Sequence, residues 1–224
     1  SNAKLATGDN GNAGIRYVVP SGNLTVESGI ELHVLAGKSF TPAGQVLTTS
    51  TGTAAGAAGD LHIPATATMT MGTNALSVGG DFVNDGTLSV SAGQTTTLTA
   101  TGSGFGFDSN GTTFDGLAVT GASGIYTSND NTTVNALLNV STNATLSLGV
   151  ATSMTLTGNT GTTLTLNGTL SGGGLLIYRN SATTFPTSGT MSTRVRFDTV
   201  NGDMTIPART YGDDVIPYNA SSSN

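Results

Sequence analysis

The chain has 224 residues, no cysteine and a formal net charge of −6, and only 9% of its residues are charged, against about 25% in an ordinary domain. Disulfide and thiol chemistry are thereby excluded, and with two Glu and two Lys in all there is little to cover the polar side of amphipathic helices. No Lys or Arg occurs between Lys38 and Arg179, so that long stretch lacks the clustered cations that phosphates require, and nucleic acid is not expected as a partner.

Taken in chain order, Ser1-Asn2-Ala3 reads as the remnant of a cleaved tag and is set aside. An apolar–polar–apolar triplet then recurs at intervals of about seven to ten residues. It reads LTV at 24–26, LHV at 32–34, LHI at 61–63, MTM at 69–71 and LSV at 76–78 and 88–90. It continues as LAV at 117–119, LSL at 146–148, MTL at 154–156, LTL at 164–166, VRF at 195–197 and MTI at 204–206. Strict alternation is the period of a half-buried strand, and the Gly, Asn, Ser and Asp between triplets mark turns. The 41 threonines suit the solvent side of such strands. The spacing predicts an all-β chain, a right-handed parallel β-helix (β-solenoid) of about 22–25 residues per coil, forming one domain over 4–224. An antiparallel sandwich has similar turn spacing and is the rival fold.

The expected inward column is Leu76, Val78, Leu88, Val90, Leu117, Val119, Leu146, Leu148, Leu164 and Leu166, with Ser77, Ser89, Ser147, Thr155 and Thr165 outward. Residues 48–59 carry no large side chain and are predicted to form an irregular loop. No apolar run nears the roughly 18 residues of a membrane span, so membrane insertion by this segment is not expected. The C-terminal strand 215–224 has no capping helix after it, which invites end-to-end self-association.

Chemistry-bearing residues are few. Arg179, Arg194, Arg196 and Arg209 gather late in the chain beside Asp198, Asp203, Asp213 and Asp214. Glycoside hydrolysis asks for two carboxylates about 5–10 Å apart, which Asp198 and Asp203, or Asp213 and Asp214, are placed to supply, with Arg194 or Arg196 as a substrate clamp. Tyr178, Tyr211 and Arg209 are the candidates for holding a sugar. The turn 108–115 offers Asp108, Asn110 and Asp115, oxygen donors of the kind calcium prefers, without the full spacing of a calcium loop. His33 and His62 sit mid-triplet and should meet on the outer surface of stacked coils, but zinc needs a third ligand that the sequence does not supply. Outward pairs Thr97/Thr99, Thr155/Thr157 and Thr163/Thr165 suggest a water-ordering surface, though they recur at no fixed coil period. No cofactor is expected.

The segments 17–40 (YVVPSGNLTVESGIELHVLAGKSF) and 65–104 resemble the coils of bacterial surface β-helix proteins, and 112–149 is similar to the Thr/Gly/Asn-rich repeats of filamentous adhesins and autotransporter-like passengers. The likeness spans residues 15 to 218 and is one of style and period. It implies a structural or adhesive, non-enzymatic segment of an extracellular or cell-surface bacterial protein, with a host-surface or glycan ligand as partner. The alternatives are a carbohydrate-binding or carbohydrate-active β-helix, using the Asp/Arg group, and an ice-binding solenoid.

Overall fold

The computed structural model describes residues 3–7, 24–26, 30–34, 36–37, 39–41, 47–49, 51, 53, 59–157, 163–179, 185–199 and 205–219. Among them there is no helix, and every strand pairing is parallel, which rules out the antiparallel sandwich. The chain is a β-solenoid that visits three faces in turn. On the first face lie Leu24–Val26, Leu47–Thr49, Leu76–Val78, Thr95–Leu98 and Thr163–Leu166, with the later halves of Thr113–Val119 and Thr132–Val140. The second face stacks Ala3–Thr7, Ile30–Val34, Leu61–Ile63, Phe82–Asn84, Phe105–Asp108, Ile125–Ser128 and Thr145–Leu148. It ends on the first halves of Thr169–Tyr178 and Thr190–Thr199, two strands that bend onto the third face. Cross-coil hydrogen bonds commonly join residues 20 to 23 apart, and 30 apart between Thr49 and Gly79.

Alternation sends one side of each strand inward, and register stacks like on like. Leu47, Leu76, Thr96, Leu117, Leu138 and Leu164 form one inward column on the first face. Nine of the ten residues expected inward are buried. Val90 is the difference: a register shift between Ser89 and Val90 turns it half out. Thr48 and Thr49, expected in a loop, continue a strand, and Thr49 is buried because its hydroxyl donates to Gly59 O and accepts from Gly79 N. Residues 50, 52 and 54–58 of that expected loop lie outside the described residues, as do Ser1, Asn2, Met204 and 220–224.

The core is not wholly apolar. Tyr126 is fully buried; its hydroxyl donates to Val78 O (3.1 Å) and accepts from Ala100 N (3.1 Å), joining three successive coils. Burial pushes its ionisation well above the ordinary phenol range, with the Ala100 N–H bond opposing. At the next corner Ser109 contacts Asp130 Oδ1 (2.8 Å) and the Thr132 hydroxyl (3.0 Å), so buried polar groups here pair with each other.

The third face is divided. Ser39–Phe40, Thr68–Gly72 and Thr87–Val90 form a separate three-stranded sheet. No backbone ladder joins Thr87–Val90 to Thr113–Phe114 of the next coil. Side chains cross instead: Asn110 Nδ2 donates to Gly86 O (2.9 Å), Gly93 N to Asp115 Oδ2 (2.7 Å) and Asn84 Nδ2 to Thr112 Oγ1 (3.0 Å). Beyond that seam the face resumes through Val134, Leu156, Tyr178 and Phe197 to Val215–Asn219.

Candidate functional site

The Asp/Arg group forms on the C-terminal coils. Alternation along Thr190–Thr199 sends Val195 and Phe197 inward and Arg194, Arg196 and Asp198 outward. Asp198 nevertheless is only 2% exposed, because its own partners cover it. Arg196 Nε and Nη2 donate to Asp198 Oδ1 (2.6 Å) and Oδ2 (2.9 Å), and Arg179 Nε adds a bond to Oδ2 (3.1 Å). The Arg196 guanidinium also lies 4.9 Å over the Tyr218 ring. The three charge-assisted hydrogen bonds occupy both oxygens of the carboxylate.

The carboxylate expected to pair with it cannot be placed beside it. Asp203 lies outside the described residues. Register puts Asp198 beside Tyr218, so Asp214, four residues earlier on that run, is about 13 Å away along the strand, beyond the catalytic window. Asp213 Oδ1 accepts from Asp214 N (2.8 Å) at the turn before the last strand. Arg194 donates to Gly173 O (2.9 Å).

The three residues expected to hold a sugar gather in one aromatic cluster. Tyr178 is 1% exposed and packs edge-on against Phe185 and Phe197 (centroids 4.9 and 5.9 Å), so it offers no face to a sugar. Between Ser171 and Leu175, across Gly172, Gly173 and Gly174, the strand bends from the second face to the third, and the inward side stays with Leu170, Leu176 and Tyr178. Tyr211 joins the same cluster and donates to Pro207 O (3.2 Å). Arg209 lies over the Phe185 and Tyr211 rings and donates to Pro186 O (2.7 Å) and Gly189 O (3.1 Å). Burial lowers its pKa, and its Nε is buried without a partner.

Asp108, Asn110 and Asp115 do not converge. Asn110 and Asp115 are spent on the cross-seam bonds, and Asp108 faces outward on the second face. No group of three His, Cys, Asp or Glu among the described residues is arranged to hold a metal ion. His33 and His62 do meet as their spacing suggested, edge to face at 4.6 Å, with His62 Nε2 3.3 Å from Asp85 Oδ2.

The three threonine pairs fall on different faces: Thr97/Thr99 and Thr163/Thr165 on the first, Thr155/Thr157 on the third. Register aligns another set. On the second face Thr145, Thr169 and Thr190 stack in one ladder, with Thr127, Ser147, Ser171 and Ser192 beside it. Sequence spacing concealed this array because the joining coils differ in length.

The site and fold thus define a parallel β-solenoid in which the charged C-terminal cluster is internally paired. No family model, curated protein or solved structure matches the chain.

Proposed function

We propose that the solenoid is a structural or adhesive, non-enzymatic segment of a bacterial extracellular surface protein, presenting its faces to a glycan or host surface. The observation that carries this reading is the state of Asp198. The one carboxylate on the outward side of its strand is covered and bonded by Arg179 and Arg196, so this candidate acid or base is engaged within the chain. The outward rows of Ser and Thr are those of a hydrated strand surface rather than of a cleft. A glycan-array screen paired with a reducing-end assay on acidic polysaccharides tests it. Binding without turnover is expected. Turnover abolished by Asp198→Asn overturns the reading.

A second reading is favoured by one observation, the two hydroxyl ladders on the second face. Their repeats, about 4.8 Å between coils and about 6.7 Å along the strand, make a flat lattice able to order water. Thermal hysteresis, lost on Thr169→Lys, is its test; freezing at the buffer's equilibrium point removes it.

A further inference from the structure

The outward side of the third face changes character at its C-terminal end. At Thr133, Asn135, Thr155 and Thr157 it carries hydroxyls and amides. One strand further on, register places Leu175 beside Arg194 and Ile177, itself 8% exposed, beside Arg196, which in turn lies beside Ile216. Tyr218, 50% exposed, completes this patch beside Asp198. Arginine, tyrosine and aliphatic side chains together are the composition of a protein interface core, not of a solvated strand. Within the patch three guanidinium groups, Arg179, Arg194 and Arg196, face one carboxylate, Asp198, with Asp213 and Asp214 at the turn before the last strand.

The chain carries the complementary surface itself. On the second face, nearer the N-terminus, Asp81 stacks on Asp60, its N–H donating to Asp60 Oδ1 (2.8 Å), and Asp108 stands one coil on, beside Val83. Asp85 adds a fourth carboxylate, and no Lys or Arg occurs anywhere from Ser39 to Tyr178. Both patches are drawn on the same β lattice, so their spacings are commensurate. Asp108 lies one coil and two residues from Asp81, and Arg179 lies one coil and two residues from Arg196, each a diagonal of about 8 Å. The two diagonals run in opposite senses relative to the coil axis. Turning one face over onto the other makes them coincide.

We propose that the arginine patch on 175–179, 194–198 and 214–218 docks on the aspartate patch around Asp81 and Asp108 of a second copy of this chain. Each copy uses a different patch at each contact, so the interface is heterologous and copies add head to tail. The association needs no glycan and is independent of the adhesive reading.

Sedimentation velocity on the protein alone, over a range of concentrations and at low and high salt, tests it. The expected result is a sedimentation coefficient that climbs with concentration at low ionic strength and falls back to the monomer value in 0.5 M salt, where charges are screened within a few ångströms. Arg194→Glu and Asp108→Lys should each be monomeric alone. Their equimolar mixture should give a 1:1 dimer that grows no further, because one variant keeps a working arginine patch and the other a working aspartate patch. Circular dichroism confirms the fold of each; if either is lost, Arg194→Ala and Asp108→Asn replace them, with self-association at least tenfold weaker expected. A wild type that stays monomeric at low salt, variants that associate as it does, or a mixture that forms no dimer overturns the proposal. Capture of polygalacturonate through Arg194 without self-association overturns it too, by assigning the patch to an acidic polysaccharide.

Discussion

Replacing Tyr126 by Phe removes one oxygen and nothing else from the core. That oxygen gives its proton to Val78 O and receives one from Ala100 N, both in fully buried surroundings. The variant leaves the buried Ala100 N–H without an acceptor, while Val78 O keeps the Thr99 N–H (2.8 Å), a loss of about 1–3 kcal/mol. The phenyl ring keeps its packing on Phe105 (centroids 5.4 Å), so no cavity contribution is added. For a chain of this size a loss of about 2 kcal/mol lowers Tm by roughly 4–8 °C. Urea unfolding followed by circular dichroism, with calorimetry for Tm, measures it. A Tyr126→Phe protein within about 0.5 kcal/mol of wild type would falsify the claim that this hydroxyl ties three coils together. The same residue sets an alkaline limit. Its pKa is raised in the folded state, so its contribution is intact below the unfolded phenol's value of about 10 and is lost as pH rises through the higher folded value.

Three further outcomes are expected. Gly121→Ala should destabilise by about 3 kcal/mol in urea titration, since a Cβ there overlaps the Ala100 carbonyl oxygen; a neutral result would mean that the coil corner can open. Asp198→Asn should lower stability by about 1–2 kcal/mol, discounted for the 42% exposure of Arg179, and change no polysaccharide turnover; unchanged stability would show the ion pairs to be idle. The Asp81 carboxyl is raised by burial, against a bond from Gly106 N, and further by Asp60 and Asp108. Its folded pKa therefore exceeds the unfolded one, and Tm should climb as pH falls from neutrality to about 4, where the unfolded carboxyl takes its own proton. Asp81→Asn should flatten that rise in a pH series of melting curves, and an unchanged slope would clear Asp81 of the effect.

Much of the fold could be read directly because the triplets are strictly alternating and their Gly/Asn corners recur. Leu76, Leu117, Leu138 and Leu164 come into one column for that reason. Thr96 stands in the same column, and nothing in a run of three threonines says which of them faces inward. Tyr178 follows the alternation of Leu170 and Leu176 across the glycines at 172–174 and so packs inward, against Phe185 and Phe197. The Asp/Arg cluster was legible as a group of charges, but not its pairing: only the register of 179 on 198 shows that Asp198 is bound from two strands. The patch of Leu175, Ile177, Ile216 and Tyr218 was hidden for a related reason, being spread over three strands nearly forty residues apart.

The divided third face has a mechanical consequence. A solenoid under tension shares the load among its ladders, and at most levels three ladders run side by side. Between Thr87–Val90 and Thr113–Phe114 one of them is replaced by bonds from Asn110, Asp115 and Asn84. Those bonds break singly, whereas a strand ladder yields as a unit, so among the levels between Leu24 and Tyr178 a pulled rod should rupture first at this one. Each piece would keep its own stacked coils, and the seam would serve as a fuse that spares the rest of the shaft.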